Sequence, residues 1–368
     1  MEDSIFCSVC GVELTESDMY EFEGDPICEE CLDEHTVICS HCEARIWNDD
    51  NSGSDSRPLC SRCYDYYYSR CSDCGCLILN EDALYFDDDD DTPFCESFYE
   101  KNEDRAYLHD YYYKPEPIFY GDKKRYFGVE LEIDCGGKDY NNAKTLSEVA
   151  NKINNHIYIK TDGSLDEGME IVTHPMTLDY HINNMMWLQL INTAITLGYL
   201  SHKTDTCGLH IHVNRDSFGD TVEKQDECIS RVLFFVEKFW TELLKFSRRT
   251  EYQINRWAAR YGYKHNPKEL LDHAKKDNYS RYTSVNITNY HTIEFRIFRG
   301  TLKFNTLIAT LQLVNEICNV AFSMSDEELQ ELAWCDFVKG LDNNRELVTY
   351  LKERQLYIND PVESEDEQ

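Results

Sequence analysis

From about residue 123 onward the apolar positions follow two rhythms. Alternation with period two, which marks a strand with one buried face, runs through residues 126–133, 156–160, 169–173, 208–214, 280–286 and 292–298. Recurrence every three to four residues, which lays an apolar stripe along a helix, runs through 143–153, 178–197, 223–247, 303–322, 326–338 and 345–354. The helical stretches between successive strands are too long and irregular for a doubly wound parallel sheet. The pattern therefore predicts an α+β domain with a largely antiparallel sheet and flanking helices.

Before residue 114 neither rhythm holds, and cysteines set the pattern instead. Twelve of the 17 cysteines precede residue 96, most in CxxC pairs. Cys7/Cys10 with Cys28/Cys31, and Cys39/Cys42 with Cys60/Cys63, both read C-x2-C-x17-C-x2-C, and a shift of 32 residues superposes one set on the other. A third unit starts in register at Cys71/Cys74, and a proline stands two residues before the third cysteine each time: Pro26, Pro58 and Pro93. This is an internal repeat. Two CxxC turns aimed at one ion make a closed tetrahedral zinc site, which is structural because no coordination position is left for substrate. Units this short bury too little apolar surface to fold alone, so zinc should supply much of their folding free energy. The third unit is expected to be degenerate. Cys71, Cys74 and Cys95 remain, but Phe98 stands where the fourth sulfur belongs, with Cys76 or His109 as substitutes. Two tightly held zinc ions are expected, with at most weak occupancy of the third unit. The units resemble LIM-like or zinc-ribbon modules, with a longer spacer between them than in LIM domains.

The expected partition is thus zinc repeats at 1–36 and 37–68, a degenerate third repeat at 69–113, and a stiff Pro-containing linker at 114–122. The α+β domain follows at 123–325, then C-terminal helices at 326–358 and an acidic disordered tail at 359–368.

Charge sharpens this picture. The chain carries 36 Lys and Arg against 69 Asp and Glu, a net of −33, of which −24 falls in residues 1–120. Such a surface repels phosphate backbones, so no nucleic-acid partner is expected. No apolar run reaches the roughly 18 residues a bilayer span needs, and residues 1–6 carry two acids where a signal peptide would be basic. A cytoplasmic protein without membrane contact is expected.

The chemistry sits on the strands. In Gly128-Val129-Glu130-Leu131-Glu132-Ile133, alternation sends Val129, Leu131 and Ile133 to the core and both glutamates to the other face. Neighbouring carboxylates repel unless a divalent cation lies between them. His210-Ile211-His212-Val213-Asn214 repeats the arrangement with two imidazoles and an amide, and Ile293-Glu294-Phe295-Arg296 with an acid and an arginine. Glu170 follows the turn Asp162-Gly163-Ser164-Leu165. A solvated strand face explains any one of these. Four together, with outward positions almost all Glu, His or Arg, form the surface that Mg·ATP needs: hard oxygen ligands for metal and guanidinium forks for phosphate.

In their order, these segments resemble the successive motifs of the amidoligase family, together with Cys207-Gly208-Leu209-His210 and Gly300-Thr301. That family lies within the glutamine synthetase and glutamate–cysteine ligase superfamily of carboxylate–amine ligases, and the likeness covers about residues 123–325. It implies a curved antiparallel sheet of glutamine synthetase-like type that binds ATP and two or three Mg²⁺ or Mn²⁺ ions. It also implies a reaction in which a small-molecule or peptide carboxylate is phosphorylated and then attacked by an amine. By the resemblance, Glu130, Glu132, Glu170, His210 or His212, and Glu294 hold metal. Arg296 of the E-x-R motif holds phosphate and acts in catalysis with Glu294 and Asp162. Ser164, Asn214 and Arg299, the last outside that motif, are further expected to join Arg296 at the nucleotide. Strict alternation would point Arg299 to the opposite face unless a bulge before Gly300 turns it back.

Other groups have plainer readings. Cys207 reads as packed core, as do Phe239, Trp240, Leu243 and Leu244 at helical spacing. Arg248, Arg249, Arg256, Arg260 and Lys264 form a basic cluster that lines either a site entrance or a solvated helix face. The functional expectation is an ATP-dependent amide-bond ligase whose zinc modules recruit a protein partner or substrate. The alternatives are a metal-dependent hydrolase on the same fold and a non-enzymatic interaction protein with a degenerate ligase domain.

Overall fold

The computed structural model describes residues 5–86, 91–101, 107–276 and 281–357. Ser280, most of the 87–91 aspartate run and the 359–368 tail lie outside them. The chain divides into two compact units, Met1–Glu103 and Asp104–Gln368.

In the first unit each leading CxxC sits in the turn of a two-stranded hairpin. These hairpins are β1 (Ile5–Phe6) with β2 (Glu13–Leu14), β5 (Thr36–Ile38) with β6 (Arg45–Trp47), and β7 (Tyr68–Arg70) with β8 (Leu77–Leu79). A further hairpin, β3 (Met19–Phe22) with β4 (Asp25–Cys28), leads into α1 (Glu29–His35), and α2 is Ser61–Tyr67. The thiol of Cys28 accepts from the Cys31 amide and that of Cys60 from the Cys63 amide, each at 3.4 Å, so the third cysteine caps its helix. The recurring proline also has a purpose. Its carbonyl accepts from the amide after the first cysteine: Pro26 from Ser8 and Pro58 from Ser40, both at 2.8 Å, and Pro93 from Ser72 at 3.0 Å. The third repeat is therefore built like the others, and ends in α3 (Glu96–Lys101).

The second unit is a six-stranded, wholly antiparallel sheet with no closed barrel. Its strands are β9 (Phe127–Ile133), β10 (Ile157–Lys160), β11 (Met169–Thr173), β12 (Gly208–Asn214), β13 (Val285–Asn286) and β14 (Thr292–Arg299), in the order β10-β11-β9-β12-β14-β13. Val129, Leu131, Ile159, Ile171, Ile211 and Phe295 fill one face without solvent exposure. The helices cover that face, chief among them the 20-residue helix Phe304–Ser323. The opposite face is left to the polar residues. Fixing them there is what the fold contributes to function.

Several expected helices are broken. The 178–197 stretch splits into Leu178–Asn183 and Trp187–Thr196. The 223–247 stretch splits at Phe239, whose ring packs on Phe235 and Trp334 at centroid distances of 4.8 and 5.4 Å. The 326–338 stretch divides where Leu332 and Ala333 turn extended. Glu251–Trp257 and Pro267–Lys276 are helices without a sequence expectation. The 280–286 strand shortens to Val285–Asn286.

Residues 107–122, expected as the end of the third repeat and a linker, are instead fastened to this sheet. The His109 amide donates to the Ile159 carbonyl and its carbonyl accepts from Thr161, both at 2.9 Å, while Tyr120 exchanges backbone bonds with Pro175 and Thr177. This edge pairing brings Tyr111 and Tyr112 to the polar face.

A buried histidine makes the unit acid-sensitive. His181 donates from Nε2 to the Phe127 carbonyl at 3.0 Å and accepts at Nδ1 from the Trp187 indole at 3.3 Å, a pattern that only the neutral ring satisfies. Burial holds it down to about 4. Because the folded value lies below the unfolded one, the unfolded chain takes the proton first as pH falls. Stability present above pH 6.5 is lost towards pH 4, by about 3 kcal/mol. Urea midpoints should fall across that window. The fall should be shallower in His181→Gln, which keeps a donor and an acceptor without titrating.

Candidate functional site

Backbone register assembles the polar face. His210 lies opposite Glu130, Glu170 opposite Glu132, His212 opposite Glu294, Lys160 opposite Glu170, and Asn286 opposite Glu294. Directly opposed residues share a face. Glu130, Glu132, Glu170, His210, His212, Glu294 and Arg296 accordingly line one cavity of about 310 Å³, together with Asp162 and Ser164.

The side chains interlock. His210 Nδ1 lies 3.2 Å from Glu130 and 3.6 Å from Glu294, and its Nε2 lies 3.8 Å from Glu132. His212 Nε2 is 3.1 Å from Glu130, and its Nδ1 is 3.1 Å from the Thr292 hydroxyl. Lys160 pairs with Glu170 at 3.0 Å, Asn286 donates to Glu294 at 2.8 Å, and Arg296 Nη1 donates to Glu294. Gly208 is needed where it stands. Its amide donates to Glu132, and a β-carbon there would lie 2.6 Å from both Arg249 Nη2 and His210 Nε2.

The donor set fits divalent metal. Glu130, His210 and Glu294 offer ligand atoms within 4.8 Å of one another, and so do Glu132, Glu170 and His210. Buried Arg296 Nε makes no hydrogen bond. The carboxylates also crowd each other. Burial and then the charge of Glu130 push Glu170 well above its ordinary range, against the pull of Lys160. Burial opposes ionisation of Glu130 too, but the imidazoles of His212 and His210 outweigh it and hold that carboxyl well below the usual range. A cation between them would relieve this repulsion.

Asp134 holds the loop that carries Asp162 and Ser164. Its carboxylate accepts from the amides of Glu167 at 2.8 Å and Asp166 at 3.2 Å, and from the Thr206 hydroxyl at 2.7 Å. Asp162 accepts from the Ser164 amide at 2.6 Å. Asp134→Ala removes the acceptor of these two part-buried amides, of the Cys135 amide and of the Thr206 hydroxyl, and should cost about 1 to 3 kcal/mol in chemical unfolding.

Two expected nucleotide residues stand elsewhere. Asn214 clasps the sheet end, accepting from the Tyr126 amide at 2.9 Å and donating to the Lys124 carbonyl at 3.0 Å. Arg299 is turned by a register shift between Leu209 and Ile211 so that it pairs with Gly208, yet its fork donates to the carbonyls of Thr204 at 3.1 Å and Arg248 at 3.4 Å. Neither lines the cavity. Conversely, the cavity takes in Lys160, Tyr111, Arg281, Tyr282 and Trp257, none of which the sequence reading assigned. Lys160 was accessible from sequence, since alternation places it beside Tyr158 on the polar face. Tyr111, Arg281 and Tyr282 arrive from loops, and Trp257 from the end of the helix Glu251–Trp257. Of the basic cluster, Arg249 reaches the cavity, whereas Arg260 pairs with Glu237 at 2.9 Å.

In the first unit the sulfurs gather as Cys7/Cys10/Cys28/Cys31 and Cys39/Cys42/Cys60/Cys63. The third group is Cys71/Cys74/Cys76/Cys95. Cys76 is its fourth sulfur, while Phe98 stacks on Phe94 at 5.0 Å. The pairs Cys10–Cys28, Cys42–Cys60 and Cys74–Cys95 lie 3.8, 3.9 and 3.8 Å apart. A tetrahedron with Zn–S bonds of about 2.3 Å has edges of about 3.8 Å. All three groups can hold zinc, so the third repeat is not one ligand short.

Residues 138–318 match the family model described as "Putative amidoligase enzyme". The match takes in Asp162, Ser164, Glu170, His210, His212, Glu294 and Arg296, and starts after the strand bearing Glu130 and Glu132. No curated protein matches the chain. Among solved structures, a bifunctional glutathione synthetase from Pasteurella multocida is similar at 14% identity and a TM-score of 0.38, over 64% of this chain. The similarity spans 47% of that synthetase, about half its length. Among the described residues no helix is long and apolar enough to cross a membrane.

Proposed function

We propose that the second unit is an ATP- and Mg²⁺-dependent carboxylate–amine ligase, with Mn²⁺ as a possible replacement ion. The observation that carries this reading is the single sheet face on which four glutamates and His210 form two overlapping three-ligand groups beside Arg296. The match of residues 138–318 to the amidoligase family model, which takes in Glu170, His210, Glu294 and Arg296 of that face, supports it.

In the reaction a substrate carboxylate attacks the γ-phosphorus of ATP, giving an acyl phosphate and ADP. An amine then attacks the acyl carbon, phosphate leaves, and the amine nitrogen gives up a proton as the amide forms. Glu130, His210 and Glu294, and Glu132 with Glu170, would hold the divalent ions, which when bound neutralise phosphate charge. Arg296 is held by Glu294 through Nη1, leaving Nε and the rest of the fork for the transferring phosphoryl group. Asp162 is the cavity carboxylate outside both ligand groups, and we assign it the proton of the attacking amine. The zinc repeats are structural and present a surface for a protein partner or a peptide substrate.

Arg296 gives a specific test. Arg296→Lys keeps the charge but loses the fork, so it should depress phosphoryl transfer roughly 10²-fold or more while weakening nucleotide binding less, because the added charge develops mainly in the transition state. Arg299→Lys should leave that step near the unmodified rate. Hydroxylamine trapping of the acyl phosphate reads both. Equal rates in the two variants would remove Arg296 from the mechanism.

A further inference from the structure

A second, open pocket adjoins the first at Arg249 and is lined by His202, Lys245, Arg248, Arg249 and Arg354, with Arg299 adjoining through its bond to the Arg248 carbonyl. Its charge is one-sided. Among the described residues, none of these five Lys and Arg side chains makes an ion pair, although the chain holds 69 acids to 36 bases and cations elsewhere in the unit, such as Lys160, Arg231 and Arg260, are paired.

The guanidinium groups are oriented by neutral oxygens instead. Arg354 donates twice to the Lys245 carbonyl, at 3.1 and 2.8 Å, and Arg249 to the Phe298 carbonyl at 3.1 Å. Arg299 donates to the Thr204 and Arg248 carbonyls. The buried Nε atoms of Arg248 and Arg299 have no partner. Carbonyl bonds fix direction without cancelling charge, so the cluster repels itself. The effect is visible on His202, which burial and then Arg299, Arg248 and Arg354 hold below its ordinary value.

The backbone also favours a used side chain here. Arg248 ends the helix Trp240–Ser247 in the left-handed region at φ 61°, the place where glycine is the ordinary residue. An arginine there brings its guanidinium over the Tyr350 ring at 5.1 Å and to the pocket wall.

We propose that this pocket is an anion site for a phosphate dianion, either free phosphate or a phosphomonoester. Planar forks set by carbonyls suit several oxygens on one centre, and a dianion removes the mutual repulsion of the cluster. The site is separate from the ligase cavity but shares Arg249 with it, since that side chain lines both. The proposal does not depend on the ligase reading, because it concerns binding without nucleotide or metal.

The test is calorimetric titration of inorganic phosphate into the full chain at fixed chloride, free of nucleotide and Mg²⁺. One saturable site is expected. Arg354→Ala and Lys245→Glu should each weaken it about tenfold or more, and Arg296→Ala should leave it within twofold. Lys245 is exposed, so its reversal keeps the test valid if Arg354→Ala fails to fold. Titration with adenosine monophosphate separates the sources: equal affinity marks the phosphate group alone as the ligand, and tenfold tighter binding marks an ester. Absence of saturable binding, binding indifferent to both pocket variants, or loss in Arg296→Ala would overturn the assignment.

Discussion

Replacing Glu130 by Gln should abolish metal-dependent nucleotide turnover, lowering it by roughly 10²- to 10³-fold or more. Glu130 is the side chain on which the face converges: one oxygen lies 3.2 Å from His210 and the other 3.1 Å from His212. The amide keeps the shape and loses the anionic ligand, so a hard cation loses affinity at the group formed with His210 and Glu294. The fold should survive, because the substitution also removes a charge that pushes the neighbouring Glu170 carboxyl upward. Calorimetry with Mg²⁺ and a non-hydrolysable ATP analogue, alongside thermal unfolding, separates the two effects. Unchanged nucleotide affinity and turnover would remove Glu130 from the metal site.

Chelation should unfold the first unit while the second stays folded. The apolar clusters under its repeats are small: Cys7, Leu14, Ile27 and Cys31 in one, and Cys39, Leu59, Cys63 and Tyr68 in another. Two of the four in the first, and two in the second, are themselves cysteines of the groups that could hold zinc. Structural zinc supplies on the order of 10 kcal/mol or more per site, which no core of this size replaces. Hydrogen exchange after chelation should show protection lost across residues 5–101 and retained in the sheet. Elemental analysis should give three zinc ions per chain, falling to two in Cys76→Ser. A count of two in the unmodified protein would return the third repeat to the weak site its sequence suggested.

The two units were legible to different depths, for physical reasons. Strand alternation is local, so Glu130, Glu132, Glu170, His210, His212 and Glu294 could be placed on one face from sequence alone. Paired CxxC spacing is equally local. What escaped depends on tertiary contacts. Phe239 interrupts a helix where its ring meets Phe235 and Trp334, and residues 107–122 join the sheet through edge pairing to Ile159 and Pro175. Arg299 shows the limit most clearly. A bulge returns it to the face of Gly208, as alternation alone would not, and carbonyls of Thr204 and Arg248 then occupy its fork.

The most direct measurement of the central claim is acyl-phosphate trapping. The full-length, zinc-loaded chain is incubated with Mg·ATP, hydroxylamine and panels of amino acids, small carboxylic acids and acidic peptides, and hydroxamate and ADP are counted together. The ligase reading predicts that some acid yields hydroxamate and ADP in equal amounts, that both vanish without Mg²⁺, and that both are lost in Glu130→Gln. Folded, metal-loaded protein that binds Mg·ATP yet forms neither product with any acid, or that cleaves amides without ATP, would contradict it.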